Sequence, residues 1–119
     1  LSGTWLRPGA HVNAIGNHDP ESREVDSETV RRSIVVCDDI DACLKEAGDV
    51  MIPLKSGEIP AQHVSLNLGQ VVLGRGPSRS ADDITLFKSV GLAIQDMSTA
   101  LLAYTRAVEL NVGIDVELT

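Results

Sequence analysis

The segment Asp83-Ile84-Thr85-Leu86-Phe87-Lys88-Ser89-Val90-Gly91 is the part of this 119-residue chain that best predicts its fold. A short run with β-branched residues, typical of a strand, leads into the small residues Ser89-Val90-Gly91, where a long helical pattern begins. A strand that turns into a helix at small residues exposes unpaired backbone N–H groups. We therefore expect a polar or anionic ligand to bind at this corner.

A long helix is predicted after this corner, from Ser89 to about Leu110. Its apolar residues recur at alternating spacings of three and four, which places them on one stripe of the helix. The stripe consists of Val90, Ile94, Met97, Leu101, Tyr104 and Val108. Asn111 and Gly113 predict the end of the helix, and Ile114 to Leu118 could form a short terminal strand.

A loop precedes the segment, because residues 74–80 are rich in Gly, Pro, Ser and Arg. Arg75 and Arg79 in this loop, with Lys88 after it, could contact an anion or simply lie on the surface. The sequence leaves both interpretations open.

Further upstream, the pattern alternates between strands and helices. Ala10 to Ile15 alternates loosely, as in a short strand, and Ser33 to Cys37 is fully apolar, as in a parallel strand covered on both faces. Asp26 or Ser27 is suited to cap a helix through Arg32. This order predicts an α/β fold built on a parallel sheet.

Asp38 and Asp39, which follow the second apolar run, allow two interpretations. Either can cap a helix that continues to about Ala47. They also resemble the acid that binds a ribose in dinucleotide-binding folds, but no G-x-G-x-x-G segment precedes them, so capping is the better account. Downstream, residues 49–63 predict a mixed loop with room for one helical turn, and Val64 to Leu73 suits a short helix.

The composition argues against two classes of partner. The net charge is −7, so no basic face is available for nucleic acid, and an acidic chain is not attracted to an anionic membrane surface. No run is long enough to span a membrane. Because Trp5, Phe87 and Tyr104 are the only aromatic residues, the core is expected to consist of Val, Ile, Leu and Ala, with Trp5 as a candidate for burial.

The cysteine and histidine residues predict neither a disulfide nor a metal site. Cys37 and Cys43 fit buried thiols, which favours a cytoplasmic location. His11, His18 and His63 lack the spacing of metal-binding helices or knuckles, so we expect no metal. No Ser or Cys has the setting of a catalytic nucleophile.

The loop after the first strand, Gly16-Asn17-His18-Asp19, is a candidate site. Open α/β sheets bind ligands at the carboxyl ends of their strands, so His18 and Asp19 could act there as acid, base or metal ligand. A solvated turn is the alternative, and spacing alone favours it.

Two groups of motifs resemble the ornithine cyclodeaminase/mu-crystallin family. Residues 6–16, Leu-Arg-Pro-Gly-Ala-His-Val-Asn-Ala-Ile-Gly, and Arg23-Glu24-Val25-Asp26 resemble its middle. Residues 68–75, Leu-Gly-Gln-Val-Val-Leu-Gly-Arg, followed by residues 83–91 and Gln95-Asp96, resemble its C-terminal end. The resemblance covers nearly the whole chain, in order, and its motifs are specific.

The resemblance implies a protein that exchanges hydride between NAD or NADP and the α-carbon of an amino or imino acid, as in ornithine cyclodeaminases and alanine dehydrogenases. It implies that residues 1–88 are the second half of a Rossmann-type NAD(P)-binding domain. Residues 89–119 would then be a C-terminal helix and tail that return toward a substrate and dimerisation domain. The expected fold is a partial Rossmann-type parallel sheet with a long C-terminal helix, in a homo-oligomer.

The same resemblance implies which residues lie beside the nicotinamide and the substrate. They are Asn13, Ala14, Ile15, Gly16, Ser89, Val90 and Gly91. In cyclodeaminases, an aspartate two positions after the Asn-Ala-x-Gly segment is the acid/base. His18 stands at that position here and Asp19 follows, so either is expected to take the role, and ornithine cyclisation is less favoured than dehydrogenation or reduction.

The family's Gly-rich phosphate loop and its substrate domain have no counterpart in this chain, which opens with Leu-Ser-Gly-Thr-Trp like the interior of a protein. One interpretation is a fragment of an NAD(P)-dependent enzyme. The alternative is a stand-alone, non-catalytic remnant or a module that associates with itself. In both cases we expect no dinucleotide turnover by this chain alone, and exposed apolar surfaces that favour oligomerisation.

Overall fold

The computed structural model describes residues 1–117 as a parallel sheet with three helices against one face, a short helix beside the other face and a long C-terminal helix. The strands are β1 (His11–Ala14), β2 (Ser33–Cys37) and β3 (Ile84–Lys88). The helices are α1 (Ser27–Arg32), α2 (Ile40–Glu46), α3 (Gly48–Lys55), α4 (Leu68–Val72) and α5 (Ala93–Leu110), and short 3-10 turns lie at Gly3–Trp5 and Ala61–His63. This confirms the predicted α/β class.

The sheet has the strand order β1-β3-β2, and all of its strands run parallel. The last strand in the sequence is therefore the central one. Ala14 at the end of β1 and Cys37 at the end of β2 both pair with Lys88 at the end of β3. The three strands thus end at one edge of the sheet, where the loops that follow them meet.

The core lies between one face of this sheet and the helices α1 to α3. Alternate residues of a strand point to the same face, and those on this face, such as Val35 and Leu86, are buried against Val30 of α1 and Val50 of α3. The core is aliphatic, as the composition predicts. Trp5, however, is 75% exposed, so its expected burial is wrong.

Helix α3 corrects the prediction of a mixed loop over residues 49–63. Pro53 lies inside it, and proline is unfavourable in a helix because it lacks a backbone N–H. Burial of Val50 and Pro53 overrides this local preference. The loop after β1 crosses the start of the helix so closely that a Cβ atom on Gly48 would lie 1.9 Å from the Ser22 carbonyl oxygen.

The C-terminal helix begins later than the sequence predicts, at Ala93 rather than Ser89, and ends as predicted at Asn111, which adopts a left-handed conformation with φ of 52°. No residue of α5 is buried, and its apolar stripe is exposed from Ile94 to Val108. Residues 114–117 form no strand, and Leu118 of the predicted terminal strand lies outside the described residues.

Two further expectations concern thiols and membranes. Cys37 and Cys43 are buried free thiols, as predicted, and the contact with Cys37 together with burial raises the pKa of Cys43. Such a thiol is inert as a nucleophile. Over residues 1–117, no helix combines the length and the apolar character that a membrane crossing requires.

Asp26 caps α1, as predicted, and also ties the N-terminal segment to it. Its carboxylate accepts hydrogen bonds from the backbone N–H groups of Thr29 and Gly3, each at 2.8 Å, and from the Ser2 hydroxyl at 3.0 Å. Burial raises the pKa of this carboxyl, but these hydrogen bonds outweigh burial and lower the pKa from 3.8 to about 2.

Asp26 is therefore expected to make the stability of the fold depend on pH under acidic conditions. Because its pKa is lower in the folded chain than in the unfolded chain, its contribution is complete above about pH 4 and is lost as the pH falls toward about 2. Asp26→Asn keeps a capping oxygen but does not titrate, so its free energy of unfolding should fall less over this range. Urea unfolding at a series of pH values tests this, and parallel curves for the two proteins would contradict it.

Candidate functional site

The candidate site lies at the carboxyl ends of β1 and β3, where two loops predicted from the sequence meet. The Ser89 backbone N–H donates to the Ala14 carbonyl oxygen at 3.1 Å, so the turn after β3 lies directly beside the end of β1. The sheet thus brings together the segments 13–16 and 89–91, which are far apart in the sequence. Their contact with a nicotinamide remains a prediction.

Asp38 fixes the turn after β3. Its Oδ2 accepts hydrogen bonds from the Ser89 hydroxyl at 2.6 Å and from the backbone N–H groups of Val90 and Gly91, each at 3.0 Å. Gly91 has a φ of 90°, a conformation that side chains disfavour, so the turn depends on a glycine at this position. Asp39, not Asp38, caps the following helix α2 by accepting from Ala42 N–H at 2.8 Å.

These contacts correct the expectation of unpaired N–H groups at the corner. The anion that the turn binds is the chain's own Asp38 carboxylate. Burial raises the pKa of Asp38, but the hydrogen bonds from the Ser89 hydroxyl and from the backbone N–H groups of Asp39 and Gly91 outweigh burial and hold the pKa below its ordinary value. Asp38 is therefore a fixed negative charge beneath the turn, and those N–H groups are not free for a ligand.

Lys88, the last residue of β3, is a fully buried cation beneath the site. Its Nζ lies 2.8 Å from Asp49 Oδ2, donates to the Asn17 carbonyl oxygen at 2.7 Å and lies 3.5 Å from Glu24 Oε2. Asp49 is itself fully buried, and its Oδ1 accepts from the backbone N–H groups of Glu24 and Val25. The surface role that was one interpretation of Lys88 is therefore wrong.

Glu24 fixes the loop after β1 in the same way that Asp38 fixes the turn after β3. Its Oε2 accepts from the backbone N–H groups of Gly16 at 2.8 Å and Asn17 at 3.0 Å. The Asn17 side chain bridges the loop, donating to the carbonyl oxygens of Asp19 and Ser22. Both loops at this edge of the sheet are therefore held by internal carboxylates.

His18 and Asp19 lie on this fixed loop and are both exposed. Asp19 Oδ1 accepts from the Glu21 backbone N–H at 2.9 Å, a local turn contact. The His18 side chain forms no hydrogen bond or ion pair with any other described residue. Both side chains are therefore accessible from solvent beside the end of β1.

Asn13 points away from this loop, toward the sheet face opposite the core. Its Oδ1 lies 3.2 Å from His11 Nε2, and His11 Nδ1 lies 2.7 Å from the Thr85 hydroxyl. These residues line an open cavity of about 360 Å³ between the sheet and α4, whose walls also include Phe87 and Leu68. Within residues 1–117, the structure brings together no group of three His, Cys, Asp or Glu side chains that could hold a metal ion.

Sequence reasoning missed the residues that hold the site together. Lys88 has a signal that could have revealed it, because it shares the two-residue period of Ile84 and Leu86 and so points into the core. The sequence predicts Asp38 as a helix cap and does not predict its contact with the turn at Gly91, which lies more than fifty residues away in the sequence. Glu24 has no local signal, since its role depends on the fold of its own loop.

Comparison with known proteins yields consistent similarities. The profile of the ornithine cyclodeaminase/mu-crystallin family matches residues 1–111. The chain is 40% identical over 114 residues to a Δ(1)-pyrroline-2-carboxylate reductase of Bacillus cereus, a match that covers 94% of this chain and 35% of that protein.

Two solved structures are similar as well. One is the Δ(1)-pyrroline-2-carboxylate reductase of Thermococcus litoralis in complex with NADH and L-proline, with a TM-score of 0.87, 46% identity and coverage of 98% of this chain and 36% of that one. The other is an archaeal alanine dehydrogenase dimer with bound NAD, with a TM-score of 0.81, 33% identity and coverage of 100% and 37%. The chain thus spans about a third of the length of these relatives.

Proposed function

The chain belongs to the ornithine cyclodeaminase/mu-crystallin family, and on that premise we propose that it is the C-terminal portion of an NAD(P)-dependent enzyme that reduces an imino acid or dehydrogenates an amino acid. The reaction is hydride transfer between the nicotinamide and the substrate α-carbon. The similarity to reductases and to an alanine dehydrogenase supports this reaction class.

The observation that carries the proposal is the paired, rigid edge formed by segments 13–16 and 89–91. The Ser89 to Ala14 hydrogen bond joins the two segments, and internal carboxylates fix both loops that continue from them. An edge whose loops are fixed in advance can keep the reactive carbon of a nicotinamide ring aligned with a substrate. Asn13 to Gly16 and Ser89 to Gly91 are proposed to form the nicotinamide-side wall.

His18 is proposed to act as the acid/base, with Asp19 as its alternative. Histidine exchanges protons near neutral pH, and the His18 imidazole is exposed on a fixed loop, whereas Asp19 Oδ1 is engaged with Glu21. Reduction of an imine requires a proton on nitrogen as hydride reaches carbon, which a protonated imidazole can donate. The histidine at this position favours a reductase or a dehydrogenase over ornithine cyclisation.

The residues present fit the nicotinamide end of an NAD or NADP molecule and not its phosphates. The N–H groups of Gly16, Asn17, Val90 and Gly91, which could bind phosphate oxygens, already donate to Glu24 and Asp38. The chain also has no G-x-G-x-x-G segment. Residues 1–88 are therefore proposed to be the second half of the cofactor domain, with residues 89–119 leading to a substrate domain.

A second candidate is a self-associating module, favoured by the exposed apolar stripe of α5. Side chains such as Leu101 and Tyr104 are more than 60% exposed along one side of an 18-residue helix. Exposed apolar surfaces of this size are typical of interfaces. We propose a second copy of this chain as the partner that covers the stripe, which is compatible with the enzyme proposal.

The DNA upstream of this coding sequence is expected to continue in frame and to encode a Gly-rich phosphate loop. The extended protein should reduce a cyclic imino acid such as Δ(1)-pyrroline-2-carboxylate with NADH or NADPH, measured by the fall in absorbance of the reduced cofactor. The 119-residue chain alone should show neither turnover nor saturable binding up to about 1 mM NADH in a fluorescence titration.

A matched variant separates the proposed chemistry from general damage. In the extended protein, His18→Ala should lower kcat by about 10²–10⁴-fold, the range expected for loss of a general acid, while the equally exposed neighbour Glu21→Ala leaves kcat unchanged. A stop codon just upstream would overturn the proposal, and tight NADH binding by the short chain would overturn the expectation that this chain is inactive by itself.

A further inference from the structure

Each backbone N–H and carbonyl group of Asn17 and Asp19, the residues on either side of His18, takes part in a hydrogen bond, whereas within residues 1–117 the imidazole has no hydrogen-bonding partner. Asn17 N–H donates to Glu24 Oε2 at 3.0 Å, and the Asn17 carbonyl oxygen accepts from Lys88 Nζ at 2.7 Å. On the other side, Asp19 N–H donates to Asn17 Oδ1 at 3.2 Å, and the Asp19 carbonyl oxygen accepts from Gly48 N–H at 3.2 Å. A surface turn needs no such anchoring, because water satisfies its polar groups.

Glu24 provides the anchor closest to the end of β1. One oxygen, Oε2, accepts from two successive backbone N–H groups, those of Gly16 and Asn17. Successive N–H groups that converge in this way form an anion-binding concavity. Here the anion is a side chain of the same loop, so it is present permanently and keeps the loop in one conformation.

The buried pair of Lys88 and Asp49 holds Glu24 from beneath. Asp49 Oδ1 accepts from the Glu24 backbone N–H at 2.6 Å, and Lys88 Nζ lies 3.5 Å from Glu24 Oε2. Glu24 itself is about one-third exposed, with a side-chain exposure of 37%. Its backbone is therefore fixed by a buried charge while its carboxylate reaches out to the loop.

From this arrangement we propose that Glu24 is a positioning residue for His18: its carboxylate, by accepting from Gly16 and Asn17, sets the orientation in which His18 meets the substrate. This role of Glu24 rests on the proposed function, in which His18 is the acid/base. Glu24 touches neither substrate nor cofactor in this role and acts only through the loop. It positions the loop through the two hydrogen bonds that its Oε2 accepts.

Amide hydrogen exchange and NMR on the isotope-labelled chain test this without any ligand. In Glu24→Ala, exchange of the Gly16 and Asn17 amides should accelerate at least about tenfold, as expected for loss of a hydrogen bond to a charged acceptor. The His18 imidazole resonances should shift in the same variant. Glu21→Ala removes a carboxylate from the same loop that makes no side-chain contact among the described residues, and it should change neither signal.

Rescue by Glu24→Gln distinguishes positioning from general stabilisation, and it also serves if Glu24→Ala does not fold. The glutamine carbonyl oxygen can accept from both N–H groups, so both exchange rates should stay within about threefold of the wild type and the His18 resonances should stay in place. Exchange as fast as in Glu24→Ala, unshifted His18 signals in Glu24→Ala, or an equal effect of Glu21→Ala would overturn the proposal.

The outcome is independent of the enzymatic test. If the loop signals respond as expected but the extended protein reduces no imino acid, the proposed function fails while the loop geometry stands. If the extended protein is active but the amide exchange rates and the His18 resonances do not change in Glu24→Ala, only the positioning role fails.

Discussion

Replacement of Lys88 by methionine is expected to lower the free energy of unfolding by about 3–5 kcal/mol, which is the typical cost of removing one partner of a buried ion pair. Lys88 and Asp49 are both fully buried and lie 2.8 Å apart. Methionine fills much of the same volume, but it leaves the Asp49 carboxylate without its cation and the Asn17 carbonyl oxygen without its donor. Urea unfolding followed by circular dichroism measures the loss.

The double variant Lys88→Met/Asp49→Asn identifies the cause of that loss. The asparagine Oδ1 can still accept from the N–H groups of Glu24 and Val25, as Asp49 Oδ1 does, and the uncompensated charge is gone. The double variant should therefore be more stable than Lys88→Met by about 1 kcal/mol or more, a coupling of the size found for residues in direct contact. It also remains informative if the single variant does not fold.

A matched lysine on the surface provides the control. Lys45 is exposed on α2, so Lys45→Met should change the free energy of unfolding by less than about 0.5 kcal/mol. If Lys88→Met cost no more than Lys45→Met, the buried pair would not be a structural centre of this fold. The effect of Lys88 should reach the site, because the next residue is Ser89 and because Asn17 precedes His18.

The strands and most helices were predictable because their signals are local. β2 and β3 are short apolar runs, and α1 begins at the capping residue that the sequence indicates. α3 was not predictable in this way, because Pro53 opposes a helix, whereas burial of Val50 and Pro53 and the contacts of Asp49 stabilise it. A prediction from local preference is wrong where packing stabilises an element by more free energy than the unfavourable residue costs.

The candidate site was predictable in outline but not in its supporting contacts. Parallel strands end at the same edge, so segments 13–16 and 89–91 could be placed together once both were recognised as strand ends. The contacts of Asp38 with Gly91 and of Lys88 with Glu24 join residues more than fifty positions apart. A spacing pattern can show that Lys88 points into the core, but no spacing pattern identifies which distant residue it contacts.

The stripe of α5 was predicted from its spacing, together with self-association of the chain, and in the single chain the stripe is exposed. The spacing from Ile94 to Val108 alternates between three and four, the period of helices that pair side by side. The residues that border the stripe are uncharged: Ala93, Ser98, Ala100, Thr105 and Ala107. Uncharged borders place no like charges against each other when two copies meet.

The pattern is also self-complementary in an antiparallel pair centred on Leu101. In that arrangement Leu101 meets its counterpart in the second copy and Ile94 lies opposite Val108, while Met97 and Tyr104 face each other with an offset of one residue, about 1.5 Å along the helix. Each apolar side chain then finds an apolar partner, and the pair is closed by a two-fold axis. A two-fold pair of α5 helices is therefore the form of self-association that we expect.

Leu101→Glu is expected to weaken this pair by about 10²–10⁴-fold in Kd. Full burial of a leucine side chain contributes about 1.5–3 kcal/mol, and a symmetric pair loses the contribution twice, or about 3–6 kcal/mol. Leu101 is 65% exposed in the single chain, so the change should leave the fold of the chain intact. Sedimentation equilibrium over a range of concentrations measures the dissociation constant.

Leu102→Glu is the matched control, because Leu102 is equally exposed at 62% but lies about 120° around the helix from the stripe. Its dissociation constant should stay within a few-fold of the wild type, since the glutamate remains in water. Equal weakening by both variants would indicate that added charge, rather than the stripe, controls association. A wild-type chain that stays monomeric at all concentrations would show that something other than a second copy covers α5, because an apolar stripe of this length needs a partner to leave water.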